Sequence, residues 1–254
     1  MSNPVLNQDK FEKSLALVES LPYENYQPMS IEGTLRTTGI MGLVLLLSAS
    51  YTWSRFMYGY TDIGSALTGF GAIVGFILAL IISFLGLTRL SNNLKYFVLA
   101  YAACEGLFLG GISAVFETSY PGIVSTAVAG TFAALFSMLI LYRMNIIRCT
   151  EKLRSIVLIA TLSIVVIYIV DLIGHFFGHS VPIIYAASPM GLLFSAVIVL
   201  IAALNLILDF EFIAQGAERN FPKVYEWYGA FGLMVTVVWL YVEILRLLAK
   251  FQRR

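Results

Sequence analysis

The sequence is poor in charged residues, cysteine and histidine. Of its 254 residues only 12% are charged, the formal net charge is +1, and there are two cysteines and two histidines. Such a chain has no field to attract nucleic acid, and two cysteines are too few for a disulfide framework. It also lacks a His-Glu-x-x-His motif, a Gly-x-Ser-x-Gly motif and a Gly-rich phosphate loop. Zinc protease, serine hydrolase and ATP-driven transport chemistry therefore have no support, and we expect no enzyme activity and no cofactor.

Apolar residues are what the chain has in excess. They make up 59% of it, and the mean hydropathy is +0.85, which is too high for an ordinary soluble domain. A membrane span needs about 20 mostly apolar residues. Seven stretches reach this length: 37–57, 64–87, 96–116, 122–142, 155–177, 190–212 and 225–248. The sequence thus predicts an all-α, polytopic membrane protein with seven transmembrane helices.

The first 33 residues differ from the rest in being polar and acidic, and they have no apolar core of a signal peptide. We interpret residues 1–33 as a cytoplasmic tail and residues 34–254 as the transmembrane domain. Within the tail, the segment 11–20 (FEKSLALVES) has two interpretations, a short amphipathic helix or a solvated stretch.

The orientation follows from lysine and arginine in the short loops. With the N-terminus inside, eleven of the sixteen cations are cytoplasmic, and the loops 117–121 and 178–185, which contain none, are outside. The other five are exceptions: Arg55 at the outer end of the first span, and four cations at the end of the chain (Arg246, Lys250, Arg253 and Arg254). No proline or glycine pair interrupts residues 233–251. We therefore expect the last helix to exit with its basic end held by protein, and re-entry is the alternative.

Two carboxylates lie where a lipid-spanning helix should have none, Asp209 and Glu243. An ionisable group at membrane depth costs about 2.5 to 3.5 kcal/mol and so faces protein or water. Glu243 lies on one helix face with four other polar or aromatic residues, spaced by three or four (Thr236, Trp239, Arg246 and Lys250). Two interpretations stay open: Glu243 pairs with Arg246 as a structural ion pair, or it meets Asp209, whose hydrogen bonds Asn205 can share.

Two further groups of polar residues lie in or next to the spans. Glu105 is near the middle of the third span, and we expect it to line the same cavity as the two acids. Asp171, His175 and His179 are spaced by four, as metal ligands on one helix face would be. Gly178 and Pro182 indicate instead that the helix ends there, which favours a solvated helix end. A metal-dependent membrane hydrolase is the function that this cluster would support.

The last two spans also carry a resemblance. Residues 206–210 (LILDF), 226–228 (EWY) and 238–248 (VWLYVEILRLL) resemble the last two helices of the Bax inhibitor-1 / YccA family. The hydropathy profile from about Thr34 onward is loosely similar, whereas residues 1–33 show no likeness. The resemblance implies seven helices with the last one central, and a pH-sensitive calcium leak in a membrane. We identify the chain as a bacterial-type member, of the plasma membrane, with the N-terminus cytoplasmic.

The resemblance also implies roles for single residues. Asp209 and Glu243 match the family's proton-sharing pair that gates the leak, and Arg89 matches the arginine that latches the first acid. Glu105, Asn205, Glu211 and Arg246 are then expected along the ion pathway. The partners are calcium ions, protons, the lipid bilayer and other membrane proteins. A non-conducting regulator that binds membrane proteins is the alternative function.

The sequence departs from the family pattern at the acids. The second acid is glutamate where many relatives have aspartate, and no acid lies in 64–87, so that Glu105 is the substitute. Depth is a further difference. Asp209 lies about 13 Å from the helix end near Glu218, whereas Glu243 lies about 22 Å from the helix start near Tyr228. The two acids meet only if tilt or a surface segment absorbs about 9 Å.

Overall fold

The protein is represented by a computed structural model, and the structure describes residues 27–87 and 93–253. Seven long helices in these residues confirm the all-α prediction, and each is long and apolar enough to cross a membrane. Helices α1 to α7 span Ile31–Met57, Thr61–Leu85, Leu94–Ser119, Ile123–Arg143, Glu151–Phe176, Pro189–Glu218 and Val224–Gln252. The predicted segment 11–20, Arg89 and Arg254 lie outside the described residues.

The helices begin where side chains satisfy their first amide groups. Ser30 caps α1 by accepting a hydrogen bond from the Gly33 amide at 2.9 Å, and Thr150 caps α5 through the Leu153 amide at 3.2 Å. The start of α1 at Ile31 places the predicted domain boundary at residue 34 inside this helix. Gly122 precedes α4 with a φ of 86°, a conformation that glycine adopts without strain.

Helices α3 and α7 are the most enclosed ones. In the most apolar 18-residue stretch of each, 56% of the residues are buried, against 11% to 17% in the same stretch of α1, α2, α4 and α5. The apolar residues of the latter helices are exposed and suit contact with lipid. Because α3 is as buried as α7, burial does not single out the last helix, and its central placement stays a prediction.

The chain divides into two compact units. Unit 1 contains the described residues up to Val115 together with Phe212–Met234. Within it, the segment before α1 lies beside the turn between α6 and α7, since the Met29 amide donates to the Phe221 carbonyl at 2.6 Å. Glycines allow helices to approach closely: Gly106 and Gly110 of α3 face the backbone of Leu45 and Ala49 in α1. The small residues therefore serve packing, as their positions in the spans indicate.

Unit 2 contains Phe116–Glu211 and Val235–Arg254. It includes most of α6, with Asp209, and the second half of α7, with Glu243. Buried Leu240 and Leu245 lie on this half of α7, and Gly130 of α4 lies opposite the Ile244 side chain, where an added Cβ would be 3.4 Å from it. A single helical turn, Pro182–Tyr185, lies between α5 and α6.

Candidate functional site

Asp209 is placed by α6 against α7 in unit 2. The hydroxyl of Thr236 is hydrogen-bonded to its carboxylate. The other carboxylate oxygen, Oδ2, is buried and has no hydrogen-bond partner among the described residues. An unsatisfied carboxylate oxygen is costly in an apolar span when the group is ionised. Protonation of Asp209, or binding of a cation or a water molecule to it, therefore changes the local energy strongly.

Glu243 has a different environment. Its side chain is 2% exposed, and Oε1 accepts one hydrogen bond from the Tyr168 hydroxyl at 2.7 Å and another from the Arg246 guanidinium at 3.2 Å. The guanidinium also lies 5.2 Å from the centre of the Tyr168 ring. Spacing alone predicted the ion pair with Arg246, and the structure contains it. Tyr168 was missed, because nothing in the sequence places α5 beside this face of α7.

The two acids have separate partners. Asp209 is at the level of Thr236, and Glu243 follows Thr236 by seven residues, which is about 10 Å along the helix. This offset agrees with the depth difference of about 9 Å expected from the sequence. The interpretation in which Glu243 meets Asp209 does not describe this arrangement, because the side chains bond to different groups. Proton sharing between the two acids stays a prediction.

The polar residues expected near the acids on α6 are also placed. Asn205 donates to the Thr161 hydroxyl at 2.9 Å and to the Ile201 carbonyl at 2.9 Å. It is thus bonded to α5 and to its own helix. The expected sharing of hydrogen bonds with Asp209 is not seen. Glu211 accepts a hydrogen bond from the Tyr142 hydroxyl at 2.9 Å. Their place along an ion pathway stays a prediction.

Glu105 belongs to unit 1 and is partly buried. It is hydrogen-bonded to Tyr101, one turn earlier on α3. Gly75 of α2 faces it, and a Cβ added there would lie 3.3 Å from Oε1. The carboxylate therefore points toward a neighbouring helix, as expected for an acid in the middle of a span. Arg89, the predicted latch, lies outside the described residues.

The three residues of the metal alternative do not form a metal site. Asp171 accepts from the Val181 amide at 2.8 Å and from the Tyr185 hydroxyl at 2.6 Å. The pKa of the Tyr185 phenol lies above its ordinary value, mainly because of the hydrogen bond to Asp171 and to a smaller extent because of burial. Helix α5 ends at Phe176, and His179 beyond it is exposed. No group of three side chains that could hold a metal occurs in the part of the chain that the structure describes. His175 and His179 are exposed, as a solvated helix end predicts, whereas Asp171 is only 6% exposed.

The basic end of α7 is held by protein, as the topology required. The Lys250 ammonium donates to the Ser195 hydroxyl at 2.7 Å and to the Gly191 carbonyl at 3.0 Å, and Arg253 donates to the Tyr120 hydroxyl at 2.8 Å. Helix α7 is continuous from Val224 to Gln252. Its end therefore lies with the two loops free of lysine and arginine, which favours exit over re-entry.

The comparisons with known proteins agree with the fold. Residues 3–253 match the family described as Bax inhibitor 1 like. The match includes nearly all of the first 33 residues, so the likeness is wider than the motifs indicated. No curated protein and no solved structure matches the chain. Because the match covers nearly the whole sequence, the chain belongs to the Bax inhibitor 1-like family of multi-pass membrane proteins.

Proposed function

We propose that the protein is a proton-regulated cation leak, that calcium is the ion, and that Asp209 carries the protonation switch. One observation carries the proposal: a buried carboxylate oxygen without a partner among the described residues, within a helix that can span a membrane. Ionised, this oxygen needs a donor or a cation; protonated, the group is neutral and its cost falls. Calcium is a hard ion that prefers carboxylate oxygens.

Glu243 has a supporting role in this proposal. The Arg246 ion pair already neutralises it, so it binds a cation only after the pair separates. A buried ion pair that is broken on one side is strongly unfavourable. The hydrogen bond from Tyr168 to Glu243 ties α7 to α5, while Asp209 responds to pH. In this arrangement coupling between the acids runs along α7, from Thr236 to Glu243, and direct proton sharing would bring the two side chains together.

The remaining parts of the proposed mechanism come from the resemblance to the Bax inhibitor-1 / YccA family. We propose that Arg89 holds ionised Asp209 and closes the path, and that Glu105, Asn205, Glu211 and Arg246 line it. Acidification then opens the path, since protonated Asp209 no longer attracts the arginine. We propose no enzyme activity and no cofactor. We propose a bacterial plasma membrane location with the N-terminus in the cytoplasm.

The test is calcium flux into liposomes that contain only this protein, between about pH 5 and about pH 8, where buried carboxylates titrate. The wild type should conduct more at acid pH. Asp209→Asn, which imitates the protonated state, should conduct at all these pH values, and Thr236→Val should alter the pH dependence. Asp62→Asn, at an exposed acid in the first turn of α2, is the matched control. A closed Asp209→Asn variant with a normal pH response would refute the switch.

A non-conducting regulator is the second candidate. The observation in its favour is Glu243, whose bonds to Tyr168 and Arg246 are those of a structural acid. In that case wild type and Asp209→Asn would both show no flux, while Asp209→Asn would change thermal stability. The same liposome experiment therefore separates the two functions.

A further inference from the structure

The connection between α5 and α6 is tied down at two points. We call residues 177–188 the strap. It turns at Gly178, whose φ of 74° is a left-handed conformation, forms the single turn Pro182–Tyr185, and leads into α6 at Pro189. Phe177 and Tyr185 are exposed, whereas Ile184 is only 6% exposed. The strap thus has one face against unit 2 and one face free.

The first tie is Asp171 near the end of α5. The residue is 6% exposed. Its Oδ1 accepts from the Val181 amide and its Oδ2 from the Tyr185 hydroxyl, so both oxygens are used on the strap. Exposed His175 lies 3.9 Å from Oδ2 on the same helix. A buried carboxylate that accepts two short hydrogen bonds is a strong local restraint.

The second tie is Lys250 near the end of α7, which is 4% exposed. Its ammonium has three donor hydrogens and three acceptors: the Ser195 hydroxyl at 2.7 Å, the Gly191 carbonyl at 3.0 Å and the Ile183 carbonyl of the strap at 3.4 Å. The Lys250 ammonium therefore ties the strap to the start of α6 and the end of α7.

Close packing joins the two ties. Gly191 lies under the strap so closely that an added Cβ would collide with the Ala186 carbonyl and lie 3.3 Å from that of Ile183. The strap therefore rests on the first turn of α6 with no space for a side chain. Only one large apolar side chain of the strap, Ile184, is buried. The attachment rests mainly on two charged groups, and loss of either charge should free it.

We propose that the strap is a detachable closure over the end of unit 2, held by Asp171 and Lys250, and that its release opens this end of the ion path. The role in ion flux rests on the proposed function. The detachment itself does not, because it is a property of the strap and its two ties. When the strap lifts, Ile184, Ser195 and Lys250 become accessible to water.

Cysteine labelling tests the detachment. Ile184→Cys, in a background without Cys104 and Cys149, should react slowly with a membrane-impermeant maleimide. Lys250→Met or Asp171→Asn should raise the rate about ten- to a hundredfold, as expected for loss of hydrogen bonds to a charged group. The controls are Lys152→Met and Asp62→Asn, at exposed charges away from the strap, which should leave the rate unchanged.

Amide hydrogen exchange covers the case in which a variant fails to fold. In the wild type the Val181 amide should exchange much more slowly than that of exposed Ser180, because only the former donates to Asp171. Ser195→Ala removes one acceptor of Lys250 and should raise the labelling rate by a smaller factor. Equal labelling rates in the wild type and both tie variants, with fast Val181 exchange, would overturn the proposal.

Calcium flux in liposomes then tests the role in conduction. Lys250→Met and Asp171→Asn should increase flux in proportion to the labelling rate. Faster labelling with unchanged flux would show that the strap detaches without closing the path, and would overturn the gating role. A wild type that carries no flux at any pH refutes the proposed function, and labelling still decides whether the strap detaches.

Discussion

Replacement of Arg246 by methionine should destabilise the protein because it leaves Glu243 as an uncompensated charge. Glu243 is buried, and its Oε1 accepts hydrogen bonds from Arg246 and Tyr168. Methionine keeps an apolar stem that can pack beside the Tyr168 ring. The substitution therefore removes the positive charge and changes the packing little.

The size of the effect follows from burial. Removal of one partner from a buried ion pair costs about 3 to 5 kcal/mol. The Arg246 side chain is 38% exposed, so that solvent already screens part of the attraction. Because the Tyr168 bond also remains, we expect a loss of about 2 to 3 kcal/mol. For a chain of this size this lowers the unfolding midpoint by about 4 to 12 °C.

A double-mutant cycle measured by thermal unfolding in detergent tests this. Glu243→Gln removes the buried charge, so adding Arg246→Met to it should cost much less than Arg246→Met alone. The expected coupling is at least about 1 kcal/mol. Arg143→Met, at an exposed position at the end of α4, is the control. If Arg246→Met is as stable as this control, or if the cycle is additive within about 0.5 kcal/mol, the ion pair does not stabilise the folded protein.

Three further predictions use other parts of the molecule. Gly33→Ala should be about 1 to 3 kcal/mol less stable than Gly39→Ala in thermal unfolding, because the Cβ at position 33 would displace the Glu226 carboxylate from its hydrogen bonds with Ser30, whereas the Cβ at position 39 meets nothing; equal stability of the two variants would contradict this. Burial raises the pKa of the Cys149 thiol, while Arg154 opposes the shift. Maleimide labelling of Cys149 should therefore be slow at neutral pH and rise about tenfold per pH unit. A labelling rate independent of pH would contradict this. Cysteines at Ser119 and Arg148, without Cys104 and Cys149, should label from opposite sides of the membrane, and labelling from one side would remove α4 as a span.

Hydropathy predicted the seven helices because each span must bury its backbone polar groups in itself. It placed the ends less well. Helix α6 continues to Glu218, six residues past the predicted end at 212. The added turns contain Gln215 and Glu218, which a search for apolar residues does not include. Capping by Ser30 and Thr150 fixes two helix starts before the apolar runs begin, and hydropathy does not contain this information either.

The candidate site was predicted in part. Helical spacing placed Glu243, Arg246 and Lys250 on one face, and the ion pair followed from it. The groups that complete the site come from elsewhere in the chain: Tyr168 from α5, and Ser195 from α6. Spacing within one helix cannot identify partners on other helices. The same limit applies to the ties of the strap, because Asp171 was grouped with His175 and His179 by spacing alone.

The basic end of α7 shows why the charge rule for loops has an exception here. The rule concerns cations that stay free and hydrated near the membrane. Arg246 is paired with Glu243, Lys250 donates to Ser195 and two carbonyls, and Arg253 donates to Tyr120. Each of these cations is held by acceptors in α6, α7 or the loops at the same end. The loops that lack lysine and arginine provide two of these oxygen atoms, the Ile183 carbonyl for Lys250 and the Tyr120 hydroxyl for Arg253. Because these three cations are bound by the protein, the exit of α7 on the side of the uncharged loops does not conflict with the charge rule for the other loops.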